Sequence, residues 1–519
     1  CVLHPASSAG LHPASSAGQP VEIEHVDGTR EPQQFPYTID PDLLFTDVRA
    51  MITELEPGVR AEVRMESDTF ETEDQRNYLD ASYKTYSTPS NMPIPFTVDA
   101  GTRTRQTVTI RLDGTPTPRP SNDEFVLRID AEQKTRIPYI GLGMASDEVP
   151  LTETEFERLA VLNPSHLRYD LHFSPGMEER LFEAVEDADA LDCDLELALH
   201  LGDHAGAELE QLRDALNELD HGDIYALIVR GGEPTTSPET LALAERILED
   251  ADGVYLIAGS DGFFYDFNRQ HPPKTTRVAF GANPQVHATD NATIIEAMPT
   301  VAMQIETARQ FVGDAEIYIT PIALRSIHNP DVASFKDEVG GHLPPHVDHR
   351  QPTLFAAGWT IGVIAAAARA SASSLTFYET TGWRGVMERA EGTPLPDEFP
   401  SFPGAVYPLY HVFADVGEVP NGNALLAESS HPLTFSGLAL QDARGMRMLI
   451  ANHTAERITL TVNGLSGAFW LKQLDEMNAE FAMRDPRGFR SAAGEQVSVG
   501  EDGLHIELLP FAIARLDSA

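Results

Sequence analysis

Between residues 139 and 378 the chain repeats one pattern eight times, a short apolar run followed by an acidic amphipathic segment. Short apolar runs are typical of strands buried on both faces of a parallel sheet, and amphipathic segments of the helices that connect them. Eight such units predict a closed (β/α)8 TIM barrel rather than an open sheet. The predicted strands are Tyr139–Gly143, His166–Asp170, Leu195–His200, Tyr225–Arg230, Val254–Ala258, Val278–Gly281, Ile317–Thr320 and Ser374–Tyr378.

The two flanking regions follow a different pattern. Short alternations of apolar and polar residues, such as Thr107–Leu112 and Ile458–Val462, are separated by Pro, Gly and Asn-Gly turns. Alternation with a period of two predicts antiparallel strands with one solvated face. We therefore expect an α/β protein with an N-terminal β-sandwich domain over residues 21–136, a catalytic barrel over 137–400 and a C-terminal β-sandwich domain over 401–519.

The charge of the chain limits its partners. Eighty acidic residues stand against 37 Lys and Arg, which gives a net charge of -43. Phosphate binding needs a basic surface, so we expect neither nucleic acid nor a membrane as a partner. Because the acidic residues are spread along the chain, a halophilic surface is the favoured interpretation and an ordinary acidic protein the alternative.

The ends and the cysteines add little chemistry. Residues 1–20 contain the octapeptide LHPASSAG twice and are expected to form a flexible tail. Cys1 and Cys193 are the two cysteines, which is too few for a disulfide framework and favours a reducing, cytoplasmic location. No apolar run approaches the ~18 residues of a membrane span. The oligomeric state stays open.

Polar residues after the predicted strands are the first functional candidates, because barrel enzymes work at the carboxyl ends of their strands. The eighth strand is followed by Glu379, Trp383 and Arg384. We predict Glu379 as a catalytic carboxylate, with Trp383 as a platform for a sugar ring and Arg384 as an anion clamp. The alternative is that Glu379 and Arg384 form an ion pair that only fixes the loop.

The sixth and fourth strands supply the next candidates. His287 is predicted to be catalytic because an imidazole exchanges protons near neutral pH, and Asn283 and Gln285 beside it are predicted to bind substrate. A loop histidine bonded to the backbone is the alternative. Glu233 follows a Gly-Gly pair and is predicted as a general acid/base, although a carboxylate at a helix N-terminus explains it equally well.

Arg168, Asp170, His200 and Arg325 are the remaining substrate-binding candidates. They would bind substrate hydroxyls or, alternatively, form an internal ion-pair network. The sequence contains no Gly-x-Ser-x-Gly elbow, Walker loop or His-Glu-x-x-His helix, which disfavours three common enzyme types. We expect neither a cofactor nor a metal.

Three strings resemble the D-apionate lactonase (D-apionolactonase) family: Asp74–Tyr86, Asn283–Ala288 and Tyr378–Gly385. The resemblance runs from about residue 21 to the C-terminus. It implies hydrolysis of a five-membered sugar-acid lactone, D-apionolactone, to the open acid in branched-pentose catabolism, on a barrel akin to those of glycosidases. The matching strings carry the site positions Asn283, Gln285, His287, Glu379, Trp383 and Arg384.

Opening a lactone requires a base for water, donors for the developing oxyanion and an acid for the leaving alkoxide. Glu379 or His287 is the candidate base, and Arg384, Asn283 or Arg168 the candidate oxyanion donor. A glycoside hydrolase that pairs Glu233 with Glu379 is the main alternative, and a non-catalytic carbohydrate-binding protein a further one. Strands four and eight face each other across a barrel, which disfavours a retaining pair at ~5 Å.

Overall fold

The structure is a computed structural model that describes residues 17–92, 97–117, 124–147, 149–326 and 342–519. It divides into two compact units, residues 1–122 and residues 123–519. Most of the predicted flexible tail, residues 1–16, lies outside the described residues, and the first strand begins at Pro20.

The first unit is a seven-stranded antiparallel sheet. Its main strand order is β2-β1-β3-β4-β7, and β5 and β6 extend it from β3. Alternate residues such as Ile23, Met65 and Phe70 are fully buried, as the period-two pattern requires. The strands are β1 Pro20–His25, β2 Arg30–Gln34, β3 Leu43–Glu56, β4 Val59–Glu66, β5 Phe70–Asp74, β6 Tyr83–Tyr86 and β7 Thr107–Asp113.

The first of the three family-like strings folds around a buried ion pair in this unit. A single 3-10 turn spans Gln75–Tyr78, and Arg76 donates from Nη2 to the Asp74 carboxylate at 2.6 Å. Arg76 also donates to the carbonyl of Pro36 at 2.9 Å. Both charged side chains are fully buried, so this pair fixes the turn within the first unit.

The second unit contains the barrel and confirms the predicted fold. After β8 (Phe125–Arg136), eight parallel strands close in chain order. They are β9 Tyr139–Gly143, β10 His166–His172, β11 Asp194–Leu201, β12 Ile224–Arg230, β13 Val254–Gly259, β14 Arg277–Ala282, β15 Glu316–Ile322 and β16 Ser374–Glu379. Each strand end lies within two residues of its predicted position.

Nine helices lie between or directly after these strands in the described part of residues 149–417. Local signals fix their ends: Thr152 and Glu155 form a reciprocal capping box on α1, and Ser237 caps α4. No described helix has the length and apolar character needed to cross a bilayer. The helices are α1 Glu153–Leu162, α2 Met177–Ala190, α3 Ala205–Leu216, α4 Pro238–Ile247, α5 Phe264–Gln270, α6 Asn291–Glu296, α7 Met298–Val312, α8 Leu354–Arg369 and α9 Pro408–Gly417.

The C-terminal domain is a nine-stranded sheet whose two ends share one apolar core, as in a sandwich. Its strand order is β22-β21-β24-β19-β18-β17-β8-β20-β23. The elements are β17 Asn423–Ser429, β18 Phe435–Asp442, β19 Gly445–Asn452, β20 Ile458–Asn463, β21 Ala468–Leu474, α10 Ala479–Arg484, α11 Pro486–Ser491, β22 Glu495–Ser498, β23 Leu504–Leu508 and β24 Ile513–Ser518.

Two elements fall outside their expected domains. The range 21–136 assigned β8 to the N-terminal domain, but β8 pairs with β17 and β20 of the C-terminal sheet. The boundary at residue 401 separated α9 from the barrel, whereas α9 packs against the barrel helices α1 and α8. Strand pairing and helix packing are long-range contacts, so a local pattern identifies the element without identifying its neighbours.

The acidic surface crowds like charges on individual helices. On α2, burial together with Glu183 and Glu186 raises the pKa of Asp187 to about 6. We expect the thermal midpoint to rise between low salt and molar potassium chloride, because dissolved cations screen this repulsion. Thermal scans at matched pH check this, with an equiosmolar sugar as the control. An unchanged or lower midpoint in potassium chloride would contradict the halophilic interpretation.

Candidate active site

Alternation along β10 and β11 brings charged side chains into the barrel. Arg168 stands beside Glu196 in the register of these parallel strands, and both side chains are 1% exposed. Arg168 donates from Nη1 to the hydroxyl of Thr320 on β15 at 2.8 Å, so it reaches across the barrel. Its Nη1 also lies 3.6 Å from a Glu196 oxygen. A buried ion pair therefore forms the floor beneath the barrel mouth.

A second layer of hydrogen bonds holds this floor. Thr376 on β16 donates to Glu196 at 3.1 Å and lies 2.8 Å from Nε2 of His166. Burial lowers the pKa of His166, which favours its neutral form. A Cβ at Gly141 would lie 2.2 Å from the His166 ring, so glycine on β9 makes room for the imidazole.

Above the floor, polar groups reach the solvent at the ends of β10, β11 and just after β13. Asp170 accepts from Nη2 of Arg168 at 2.7 Å and bonds Nε2 of His200 at 2.9 Å. Asp261 places a carboxylate oxygen 3.8 Å from the same His200 nitrogen. The ring of His172 stacks on His200 with centroids 4.3 Å apart. Three of the predicted site residues, Arg168, Asp170 and His200, thus form one cluster.

Glu379 ends β16 and is 7% exposed. Arg384 donates to its carboxylate from Nε at 3.1 Å and also from Nη2, and the same guanidinium bonds Ser146 at 2.5 Å. Burial raises the pKa of Glu379 although Arg384 opposes that shift. Glu379 and Arg384 therefore form the ion pair that the sequence suggested. Its carboxylate takes up a proton more readily than that of an ordinary glutamate.

Glu233 lies after β12 and accepts hydrogen bonds from residues at the start of the next helix, α4. One of its oxygens accepts from the Thr240 hydroxyl at 2.8 Å and the other from the Ser237 N–H at 3.1 Å. Arg230 lies 3.3 Å from the first oxygen. These contacts match the helix N-terminus alternative and occupy both carboxylate oxygens, which leaves the general acid/base role without support from the geometry.

Gln285 and Arg325 belong to a network around Asp348. Gln285 donates to Asp348 at 2.7 Å and accepts from Arg350 at 2.8 Å, while Arg325 lies 3.3 Å from the same carboxylate. Burial acts to raise the pKa of Asp348, but the hydrogen bonds and the charge of Arg350 together with the Gln285 hydrogen bond outweigh it and hold the pKa well below its usual range. These contacts support a structural role for Gln285 and Arg325.

Asn283, His287 and Trp383, the remaining predicted site residues, differ in their exposure and contacts. Asn283 follows β14 and is 8% exposed, and its buried Oδ1 has no hydrogen-bond partner among the described residues. His287 lies on an exposed bend four residues further along. Trp383 donates from its indole nitrogen to Thr393 at 2.8 Å, and its ring lies near Phe399.

Sequence reasoning overlooked Glu196, Asp261, Thr320 and Thr376. Glu196 left a signal, since it interrupts the apolar run Leu195–Leu201 at a position that shares a face with His200. Asp261 is one of several polar residues after the fifth strand and nothing local distinguishes it. The two threonines matter only through contacts across the barrel.

The fold and the polar mouth define the class of the protein: a TIM barrel with β-rich domains on both sides in the sequence. The chain belongs to the D-apionate lactonase family. Models of that family's N-terminal domain, TIM barrel domain and C-terminal immunoglobulin-like domain match residues 2–115, 140–421 and 432–516.

A curated relative is the D-apionate lactonase of Brucella anthropi, 28% identical over 413 residues. The match covers 76% of this chain and 66% of the relative, just under two thirds of its length. Two solved barrels share the fold alone. One is a family 51 α-L-arabinofuranosidase from Bifidobacterium longum, with 13% identity and a TM-score of 0.52, and the other a bifunctional glucanase-xylanase from a metagenome library, with 9% identity and 0.51. Each match covers 76% of this chain. It covers 100% of the arabinofuranosidase chain and 99% of the glucanase-xylanase chain.

Proposed function

We propose that the chain hydrolyses a sugar-acid lactone of the D-apionolactone type to the open acid, as a step of branched-pentose catabolism. Membership of the D-apionate lactonase family supports the reaction class. The observation that carries the proposal is Glu379, a nearly buried carboxylate with a raised pKa at the end of the eighth barrel strand. A small sugar lactone is the proposed partner and the cytoplasm the proposed location.

Glu379 is the proposed base for water. A carboxylate with an ordinary pKa near ~4.3 is a weak base at neutral pH, and a raised pKa brings proton affinity closer to what water activation needs. Arg384 holds the carboxylate through Nε, so the group stays in one orientation. Holding the Glu379 side chain in this orientation costs little further conformational entropy, because the side chain is already nearly buried at the end of the strand.

Oxyanion stabilisation requires donors near the carbonyl oxygen. Arg384 is the proposed donor, since a guanidinium carries five N–H groups and only part of this set faces Glu379. Asn283 and Arg168 are the proposed substrate-binding groups: the Oδ1 of the first has no partner among the described residues, and the second lies on the barrel floor.

The alternative, glycoside hydrolysis, needs two carboxylates flanking a glycosidic bond. Glu233 lies three residues after the fourth strand and Glu379 ends the eighth, and these strands stand on opposite sides of the closed barrel. Near its carboxyl end the seventh strand presents the hydroxyl of Thr320, which accepts a hydrogen bond from Arg168. These contacts favour the lactone over the glycoside.

A panel of five- and six-membered aldonolactones and aryl glycosides tests the proposal. Lactone opening releases one proton at neutral pH and is followed by pH-stat, and aryl glycoside cleavage is followed by absorbance. We expect turnover of a five-membered lactone that exceeds hydrolysis of every glycoside. Glycoside turnover alone would support the alternative reaction, and sugar binding without turnover would support a carbohydrate-binding protein.

A further inference from the structure

A histidine between two carboxylates lies at the mouth of the barrel. Nε2 of His200 is 2.9 Å from Asp170 and 3.8 Å from Asp261. The side chains of the three residues are 16%, 34% and 12% exposed, so the cluster is accessible from the barrel mouth. Glu379 ends another strand of the same rim.

The groups around His200 come from two strands and one loop. Asp170, Arg168 and His172 face it from β10, and Asp261 from the loop after β13, while β12 presents Val229 at the same register. Arg168 holds Asp170 at 2.7 Å and lies 4.0 Å from Asp261. The Asp170 carboxylate orients the imidazole through Nε2, and the Arg168 guanidinium fixes that carboxylate in place.

Resting on the proposed lactone hydrolysis, we propose that His200 is the catalytic proton donor to the leaving ring oxygen, with Asp170 and Asp261 as positioning residues. Water forms a bond to the lactone carbonyl carbon and gives a proton to Glu379. The bond between that carbon and the ring oxygen then breaks, and the ring oxygen takes its electron pair and a proton from the His200 imidazolium. Glu379 returns its proton to solvent, His200 regains one, and the new acid ionises.

Two observations favour His200 over other readings of the mouth. His287, the histidine expected from the sequence, lies on an exposed bend, whereas His200 is oriented by two carboxylates. Asp170, His200 and Asp261 also offer ligand atoms within 4.8 Å of one another, a spacing that a divalent cation can use. Arg168 already pairs with Asp170 at 2.7 Å, so one of the three ligands that a cation would need is engaged by a guanidinium.

The test compares H200A, D170N, D261N and the control H221A, whose histidine bonds only the neighbouring loop carbonyl of Gly222 among the contacts described. Wild type is first assayed with the lactone panel. We expect H200A to lose about 10²- to 10⁴-fold in kcat and free imidazole to restore part of it. D170N and D261N should lower kcat by a smaller factor and leave KM nearly unchanged, because each loosens the orientation of the imidazole without removing it. H221A should match wild type.

Each other result overturns the proposal. If wild type opens lactones and H200A does so equally well, the assignment fails while the proposed function stands. If wild type opens no lactone, both fail. Loss and imidazole rescue in H287A instead of H200A would move the donor to His287. Activity that chelation abolishes and manganese restores in wild type, but not in D261N, would make the cluster a cation site.

Discussion

The variant E379Q is expected to lose about 10²- to 10⁴-fold in kcat, the usual contribution of a general base. Gln keeps the size of the side chain and one oxygen that accepts from Arg384, so the rim should stay folded. The exposed Glu391 in the loop that follows offers a matched control, E391Q, which should keep wild-type activity. Thermal midpoints of the three proteins check folding.

The pH dependence of kcat, compared between wild type and E379Q, gives an independent test of the role of Glu379. Burial raises the pKa of Glu379, and a base works only when deprotonated, so kcat of wild type should fall as pH drops through a value above the ordinary range for a carboxyl group. E379Q should lack this acidic limb. A folded E379Q that keeps more than about a tenth of wild-type kcat would exclude Glu379 as the base.

The variant R350M is expected to destabilise the barrel by about 3–5 kcal/mol, the cost of leaving a buried charge without its partner. Arg350 donates from Nε and Nη2 to the two oxygens of Asp348, each at 2.8 Å, and Asp348 is 1% exposed. Only the longer contact from Arg325 and the Gln285 amide would remain among the side-chain contacts described.

The matched control is R213M, because Arg213 pairs with the exposed Asp214 on a helix surface. Such a pair contributes about 1 kcal/mol or less. Urea unfolding followed by tryptophan fluorescence suits the comparison, since Trp359 and Trp383 both lie in the barrel region. An R350M midpoint equal to that of R213M would mean that the Asp348 network does not stabilise the fold and would return Gln285 and Arg325 to the substrate-binding candidates.

The barrel could be predicted because its evidence is local. Most of the strands are apolar runs and most of the connecting helices are amphipathic, so the period of the sequence identifies both. The destination of β8 could not be predicted, because Phe125–Arg136 alternates like the strands before it but pairs with strands almost 300 residues later. A local sequence pattern does not show which strands pair when a whole barrel lies between them in the sequence.

The site was predictable in part for the same reason. Position near a strand end identified Glu379, Asp170 and His200 at the rim and Arg168 on the floor below it, and the parallel register brings Arg168, Asp170 and His200 together. What each residue does depends on contacts across the barrel. Glu233 and Gln285 also lie just after strands. However, Glu233 accepts a hydrogen bond at the start of a helix, and Gln285 donates to Asp348.

The most direct test of the central claim is the position of one oxygen atom. Wild-type enzyme opens a five-membered sugar lactone in ¹⁸O-labelled water at neutral pH, and mass spectrometry of product fragments locates the label. Attack of water on the carbonyl carbon, as proposed for Glu379 and Arg384, places a single ¹⁸O in the carboxylate. Label in the new hydroxyl, the mark of attack at the sugar carbon in the manner of a glycosidase, would contradict the account, as would the lack of any ring opening above the rate without enzyme.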